Sequence, residues 1–352
     1  MSLEVDIKKT FPDFKLQIRF KAEREILGML GASGSGKSMT LKCIAGIETP
    51  DEGVILSDGV PLFDSDNKIN VPPRKRLTGY LFQNAALFPN MTVEQNLVCV
   101  IKNKSDRAYK RLQAKDLLTI MGLDGLKDRY PRQLSGGQQQ RAALARILLS
   151  EPDVILLDEP FSALDSYLRW ILEQEMAGIL GRFDGTSIFV SHNRDEVYRL
   201  CDRFAVVANG GIAVCGDKWD IFNDPKDYDA CLVTGCKNIS PTRPYSSNSV
   251  TADDWAMTFD TDGRAPDDIG FIGIRAHDII MTDEAGHPNS FEFDLLSTLR
   301  DTFSYILMIR RKGFPNGRPM RLEISRDKYE ALGTIPRYAY IPKSKILYLD
   351  KK

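Results

Sequence analysis

The residues Gly31-Ala32-Ser33-Gly34-Ser35-Gly36-Lys37-Ser38 fit the pattern G-x-x-x-x-G-K-[ST]. Glycines let a backbone curl until its N–H groups converge on phosphate oxygens. A helix beginning near Lys37 adds the positive end of its dipole. The Lys37 ammonium then reaches the β- and γ-phosphates of a nucleotide, and the Ser38 hydroxyl ligates Mg²⁺. Alone, the pattern specifies a protein that binds a nucleoside triphosphate and nothing narrower. A second cluster, Val154-Ile155-Leu156-Leu157-Asp158-Glu159-Pro160, is an apolar run ending in two carboxylates. Neighbouring side chains of a regular strand face opposite ways. Where the strand ends the chain bends, so both acids can face the phosphates. Asp158 then suits Mg²⁺, directly or through water, and Glu159 suits polarising the attacking water as general base.

These groups need strand ends and a helix start to hold them. Residues 3–7 and 15–20 alternate as strands, and Ile26–Leu30 is an apolar run that stops at Gly31. A helical pattern follows from Lys37 to Ile47. Strand, glycine loop and helix make a nucleotide-binding βα unit. Residues 53–57 and 77–82 read as further strands. The pattern is helical over 92–149, which predicts a helical insertion at about 84–150. Strand and helix alternate again over 153–157, 166–183, 186–190, 194–201 and 203–208. This predicts an α/β domain over 1–234 with a largely parallel sheet. The stretch SPTRPYSSNS (240–249) reads as a loop or linker. Short β-like runs follow (FIGI, DIIM, FEFDLL, SYILMI, MRLEI, KILYL), with only 326–332 helical. They predict a small all-β domain over 235–352, as a barrel.

Composition narrows the class. The chain has 352 residues, 43% hydrophobic and 27% charged, with a formal net charge of −1. It lacks the basic excess of a dedicated nucleic-acid binder. Six scattered cysteines include no CxxC pair, which argues against a zinc site. The start, MSLEVDIKKTF, has no apolar signal-peptide core. No stretch of about 20 apolar residues occurs, so any membrane role is expected to run through a partner.

Leu134-Ser135-Gly136-Gly137-Gln138-Gln139-Gln140-Arg141 adds a sharper signal. Here the sequence resembles the ABC ATPase family, whose signature is LSGGQ. The first 220 or so residues carry that family's motifs in order: the phosphate loop, Gln83 in YLFQ, LSGGQQQR, ILLDEP, Ser162-Ala163-Leu164-Asp165, and Ser191-His192. The resemblance implies that ATP contacts the loop from Gly31 to Ser38 and Met39. It implies that Ser135, Gly136, Gly137 and Gln138, at a helix start, cap the γ-phosphate held by a second copy. A head-to-tail homodimer follows, with Asp165 linking the two sites. Gln83 is implied to sense Mg²⁺ and the γ-phosphate, and His192 to position water and Glu159. The family also stacks an aromatic ring on adenine; Phe11 and Phe14 are the candidates, with Phe11 preferred.

The segment GYLFQNAALFPNMTVEQNL (79–97) resembles ATPases that serve binding-protein-dependent importers. It implies a cytosolic subunit on the inner face of the membrane, a permease contacting Ala86, Leu87, Phe88 and Pro89, and, indirectly, an extracytoplasmic substrate-binding protein. Residues 236–349 resemble the TOBE or MOP-like β-barrel of such proteins. FIGIRAHDIIM matches a recurrent segment, although Ala276 and His277 replace the frequent Pro and Glu. Gly235-Cys236-Lys237-Asn238-Ile239-Ser240 is similar to the molybdate-type branch. A tetrahedral oxyanion needs converging N–H, hydroxyl and cationic donors. Lys237, Asn238, Ser240, Asn289 and Ser290 are candidates for a regulatory site, with Arg275 or His277 as additions. The implied cargo is molybdate or tungstate, with sulfate, iron, polyamine or sugar as alternatives. A soluble ABC ATPase acting on DNA or ribosomes would carry tandem units, coiled-coil inserts or basic arms, and the sequence has none of these.

Overall fold

The computed structural model describes residues 1–82, 84–101, 107–162, 164, 166–263, 266 and 268–350. The chain divides into two compact units, Met1–Lys218 and Trp219–Lys352.

In the first unit, β1 (Ser2–Phe11) and β2 (Phe14–Glu23) form a long antiparallel hairpin. Leu3, Val5 and Ile7 on one strand and Leu16, Ile18 and Phe20 on the other point into the core, as a period of two requires. The turn leaves Phe11 opposite Phe14. Then come β3 (Ile26–Leu30) and α1 (Lys37–Ala45). Next are β4 (Glu52–Ser57), β5 (Val60–Asp64), β6 (Ile69–Asn70) and β7 (Thr78–Leu81). Three helices pack together: α2 (Val93–Val98), α3 (Arg107–Ile120) and α4 (Gly136–Leu149). Alternation then resumes with β8 (Val154–Asp158), α5 (Ser166–Leu180), β9 (Thr186–Ser191), α6 (Arg194–Leu200), β10 (Arg203–Ala208) and β11 (Gly211–Asp217).

The sheet order is β6-β5-β4-β1-β2-β11-β10-β3-β9-β8-β7. The flank from β10 to β7 is parallel throughout, and elsewhere only the short contact of β11 with β2 is parallel. The flank from β6 to β2 is antiparallel, which corrects the expectation of a largely parallel sheet. The reason is connection length: a parallel crossover needs a dozen or so residues, and most links on the antiparallel flank are short turns. The parallel register sets Leu30 beside Ser191, Val190 beside Asp158, and Leu157 beside Leu81. The carboxyl ends of β3, β9, β8 and β7 therefore lie at one level, where open α/β sheets bind ligands.

Helix α1 is anchored from behind. Arg76 is 2% exposed, and its guanidinium donates to the carbonyls of Cys43, Ile44 and Val71 and to Asn70 Oδ1. Two of those carbonyls belong to the last turn of α1, where a cation is favoured. Arg76→Ala should lower stability by about 3 kcal/mol, because buried carbonyls lose charged donors. Urea melts check this; a loss below about 1 kcal/mol would show that water replaces the guanidinium at no cost.

The second unit starts within α7 (Lys218–Asn223), followed by α8 (Tyr228–Val233). Its strands are β12 (Asn238–Ser246), β13 (Ser249–Ala252), β14 (Met257–Asp260), β15 (Ile269–Ile274), β16 (Ile280–Thr282), β17 (Ser290–Arg300), β18 (Ser304–Arg311) and β19 (Met320–Ser325). Helix α9 (Arg326–Glu330), β20 (Tyr338–Tyr340) and β21 (Ile346–Asp350) complete it. The strands form two five-stranded sheets, β14-β13-β12-β15-β21 and β16-β20-β17-β18-β19. Val250 and Phe259 of one sheet and Phe291, Leu307 and Ile309 of the other belong to one core.

The stretch 240–249 is mostly strand, not the expected linker. Asn238–Pro241 pairs with β15, and Thr242–Ser246 pairs with β13. Neither half is laddered on both sides, so Pro241 and Pro244, which lack N–H donors, are tolerated.

Candidate nucleotide-binding site

The phosphate loop joins β3 to α1. A Cβ at Gly31 would sit 2.2 Å from the carbonyl oxygen of Val207. Gly36 caps α1 with φ 107°, a left-handed conformation that side chains resist. Lys37 is buried, and its ammonium donates to the carbonyls of Gly31 at 2.8 Å and Ala32 at 2.9 Å. Burial lowers its pKa, and the charges of Glu159 and Asp158 act the other way. The Ser35 hydroxyl oxygen is buried with no hydrogen-bond partner. An orphaned hydroxyl and a desolvated ammonium at one loop fit a polyanion.

Ser38 Oγ donates to Asp158 Oδ1 at 2.7 Å, and Tyr80 donates its phenol to Asp158 Oδ2 at 2.8 Å. Burial, reinforced by the Asp158 charge, pushes the Tyr80 phenol upward, so it remains an O–H donor. A hydroxyl oxygen beside a carboxylate is a hard donor set of the kind that suits Mg²⁺. Ser38 and Asp158 therefore fit the ion the sequence implies.

Glu159 directly follows β8, with φ 47° in the left-handed region. Its N–H bonds to the carbonyl of Val190, and its own carbonyl accepts from Ser162 Oγ. This bend turns the second acid toward the site, as expected, at a strain typical of functional positions. Glu159 Oε1 lies 3.2 Å from His192 Nδ1. Below His192, Ser191 Oγ donates at 2.6 Å to Glu196, whose carboxyl is raised by burial.

A cleft of about 350 Å³ is lined by Phe11, Phe14, Ser33, Gly34, Gly36, Lys37, Ser38, Met39 and Glu159. The hairpin tip thus brings both candidate rings to it, with centroids 6.2 Å apart. Phe14 also packs on the core and on Gly36, whereas Phe11 does not. Ser135, Gly136, Gly137 and Gln138 do not line this cleft. Ser135 caps α4: its Oγ accepts from Gln138 N–H, and its N–H donates to Gln138 Oε1, a capping box. Ser135 and Gly136 are exposed. Gln83 and Asp165 lie outside the described residues. Phe88 is 47% exposed, with the Arg146 guanidinium 5.0 Å from its ring.

The five oxyanion candidates are not gathered at one site. Asn238 is buried, with its amide donating to the carbonyls of Ile274 and Arg321 and accepting from Arg321 N–H. Ser240 is buried between Pro241 O and Asp254 N–H. Their polar atoms serve the fold, because a buried backbone leaves few other donors. Lys237 is exposed. Asn289 and Ser290 line a different cleft of about 640 Å³ with Arg311 and Lys312, and Asn289 is tied to Asp260 at both main-chain atoms.

Tyr80 and Glu196 were missed from sequence. Tyr80, three residues before Gln83, offered only a strand-like pattern. Glu196 offered only a helical one.

The family model described as ABC transporter matches residues 16–162. The chain is 34% identical over 307 residues to the sulfate/thiosulfate import ATP-binding protein CysA of Vibrio cholerae, covering 84% of this chain and 79% of that one. It is 38% identical over 224 residues to the molybdenum import ATP-binding protein ModC of Paramagnetospirillum magneticum, covering 63% and 61%. It is 38% identical over 234 residues to the Fe(3+) ions import ATP-binding protein FbpC of Haemophilus influenzae, covering 66% and 66%. The chain thus spans a little under two thirds of two of these relatives and more of the third. Among solved structures, the dimeric post-hydrolysis ATP-binding cassette MJ0796 with ADP and Pi superposes with a TM-score of 0.53 at 26% identity, covering 62% of this chain and 98% of that one. The phosphate loop and paired acids at one end of the parallel strands, and the capped helix that opens on the signature residues, agree with these likenesses: the chain belongs to the ABC transporter family of ATP-binding proteins.

Proposed function

We propose that this chain hydrolyses ATP as the motor subunit of an ABC importer. The observation that carries this reading is the convergence at one sheet edge of Lys37, Ser38, Asp158 and the Glu159–His192 pair. Lys37 and the loop N–H groups bind the β- and γ-phosphates, and Ser35 Oγ gains the partner it lacks. Ser38 and Asp158 hold Mg²⁺, which when bound neutralises charge on the phosphates. Glu159 Oε takes a proton from the attacking water, and His192 keeps the carboxylate in place through Oε1. Purified protein should release phosphate from Mg-ATP; the reading fails if no condition of concentration or permease yields turnover.

The exposed signature outside its own cleft supports a role on a second copy's nucleotide. In this arrangement two chains sandwich two ATP molecules with two-fold symmetry. Ser135→Arg should leave ATP binding by the monomer intact and block closure. Nucleotide titration and sizing with Mg-ATP separate the two; loss of monomer binding would contradict the head-to-tail arrangement.

The chain is proposed to act at the cytosolic membrane face, with the partly exposed Phe88 region receiving the permease. Among the described residues no helix is long and apolar enough to cross a membrane. Molybdate or tungstate is the favoured cargo, supported by the GCKNIS segment. Sulfate or iron is the second reading, supported by relatives named for those substrates. Transport assays with the cognate permease, comparing molybdate, tungstate, sulfate and ferric iron, decide between them. Calorimetry with the same ions on the full chain tests the regulatory site proposed for its second unit.

A further inference from the structure

We propose that Tyr80 is a positioning residue for Asp158, fixing the carboxylate so that it presents to the divalent cation of the bound nucleotide. This rests on the reading of Asp158 as part of the Mg²⁺ site. Asp158 is gripped at both oxygens, by Ser38 on Oδ1 and by Tyr80 on Oδ2. Ser38 alone would leave the carboxylate free to turn about its Cβ–Cγ bond. A second donor on the opposite oxygen removes that rotation.

The phenol is itself well held. Tyr80 lies in register with Leu156 on the parallel neighbour β8, so it shares a sheet face with Asp158, two residues further on. Its ring packs on the main core and against Phe82, with centroids 4.3 Å apart. The bond therefore links two adjacent strands just where both end at the site. A hydroxyl that donates its proton to Oδ1 still offers lone pairs to a cation. Ser38 can thus ligate the ion without releasing Asp158, and Tyr80 sets the plane in which Asp158 meets it. Partners that orient metal ligands commonly govern affinity by about 10–100-fold.

The test uses full-length protein, ADP and Mn²⁺ as the paramagnetic probe, with free Mn²⁺ read by electron paramagnetic resonance. Tyr80→Phe removes one oxygen and keeps the ring. It should weaken Mn²⁺ binding in the presence of ADP by about 10-fold, while metal-free ADP affinity stays at the wild-type value. A fall in metal-free ADP affinity of the same size would show a general disturbance of the loop and overturn the proposal. Unchanged Mn²⁺ affinity, with Asp158→Asn impaired, would overturn the role of Tyr80 alone. If Asp158→Asn also binds Mn²⁺ normally, the metal reading of Asp158 falls and the proposal falls with it.

Discussion

Glu159→Gln should bind ATP as the unaltered chain does and turn it over about 10²–10⁴-fold more slowly. Glutamine matches glutamate in shape, so it can keep the left-handed turn at φ 47° and the main-chain bonds to Val190 and Ser162. It cannot accept the proton of the attacking water. It also removes a negative charge from beside Lys37, which favours the phosphates if it changes binding at all. The closing contacts survive while the hydrolytic exit is shut, so an ATP-bound dimer should accumulate. Phosphate release and size-exclusion chromatography with and without Mg-ATP read the two halves of the result. Hydrolysis near the unaltered rate would remove Glu159 from the role of base.

Lys37→Ala should act on the other side of the cycle. The ammonium is the one buried side-chain cation among the residues lining the cleft, and a charge-assisted bond to phosphate contributes roughly 1.5–3 kcal/mol. ATP affinity should fall by about 10–100-fold. The empty protein should fare differently. The lowered pKa of Lys37 means that the folded state disfavours its charge, a cost present at neutral pH and relieved as pH rises toward the ordinary lysine value. Alanine removes that cost along with the bonds to Gly31 and Ala32, so the apo melting temperature should move by only about 4 °C or less. The rise in melting temperature on adding ATP should shrink sharply. A large apo destabilisation with undiminished ATP binding would make Lys37 a structural residue.

Local chemistry was the legible part of the sequence. The phosphate loop and the helix starts at Ser135 and near residue 92 are legible from neighbouring residues, and the structure adds a capping box at both Ser135 and Thr92. The bend that lets Asp158 and Glu159 share a site was foreseen from the strand end. What failed depended on partners distant in sequence. Tyr80 and Asp158 are 78 positions apart, and only the order of β7 and β8 brings them together. Pro241 and Pro244 suggested a linker because the split pairing of β12 is invisible in one strand. Asn238 and Ser240 looked like anion donors because composition does not reveal which side chains turn inward to satisfy carbonyls. The antiparallel flank was misjudged because the motifs, all on the other flank, drew the pattern toward alternation.

The parallel ladder of β8 against β9 runs unbroken from Val154 beside Thr186 to Asp158 beside Val190. Side chains alternate along it, so strand length is a discrete variable with the catalytic arrangement as its parity. Swapping one apolar residue for another within Val154–Leu157 perturbs packing and leaves the parity alone. Inserting or deleting a single residue there would exchange the directions of Asp158 and Glu159, or push the left-handed turn past its bond to Val190. Drift in a lineage, or a directed-evolution library, can therefore explore composition in β8 freely while its length stays locked. Loops on the far side of the sheet face no such rule. A length polymorphism in this strand would mark a chain that has left nucleotide hydrolysis behind, even with every acid still in place.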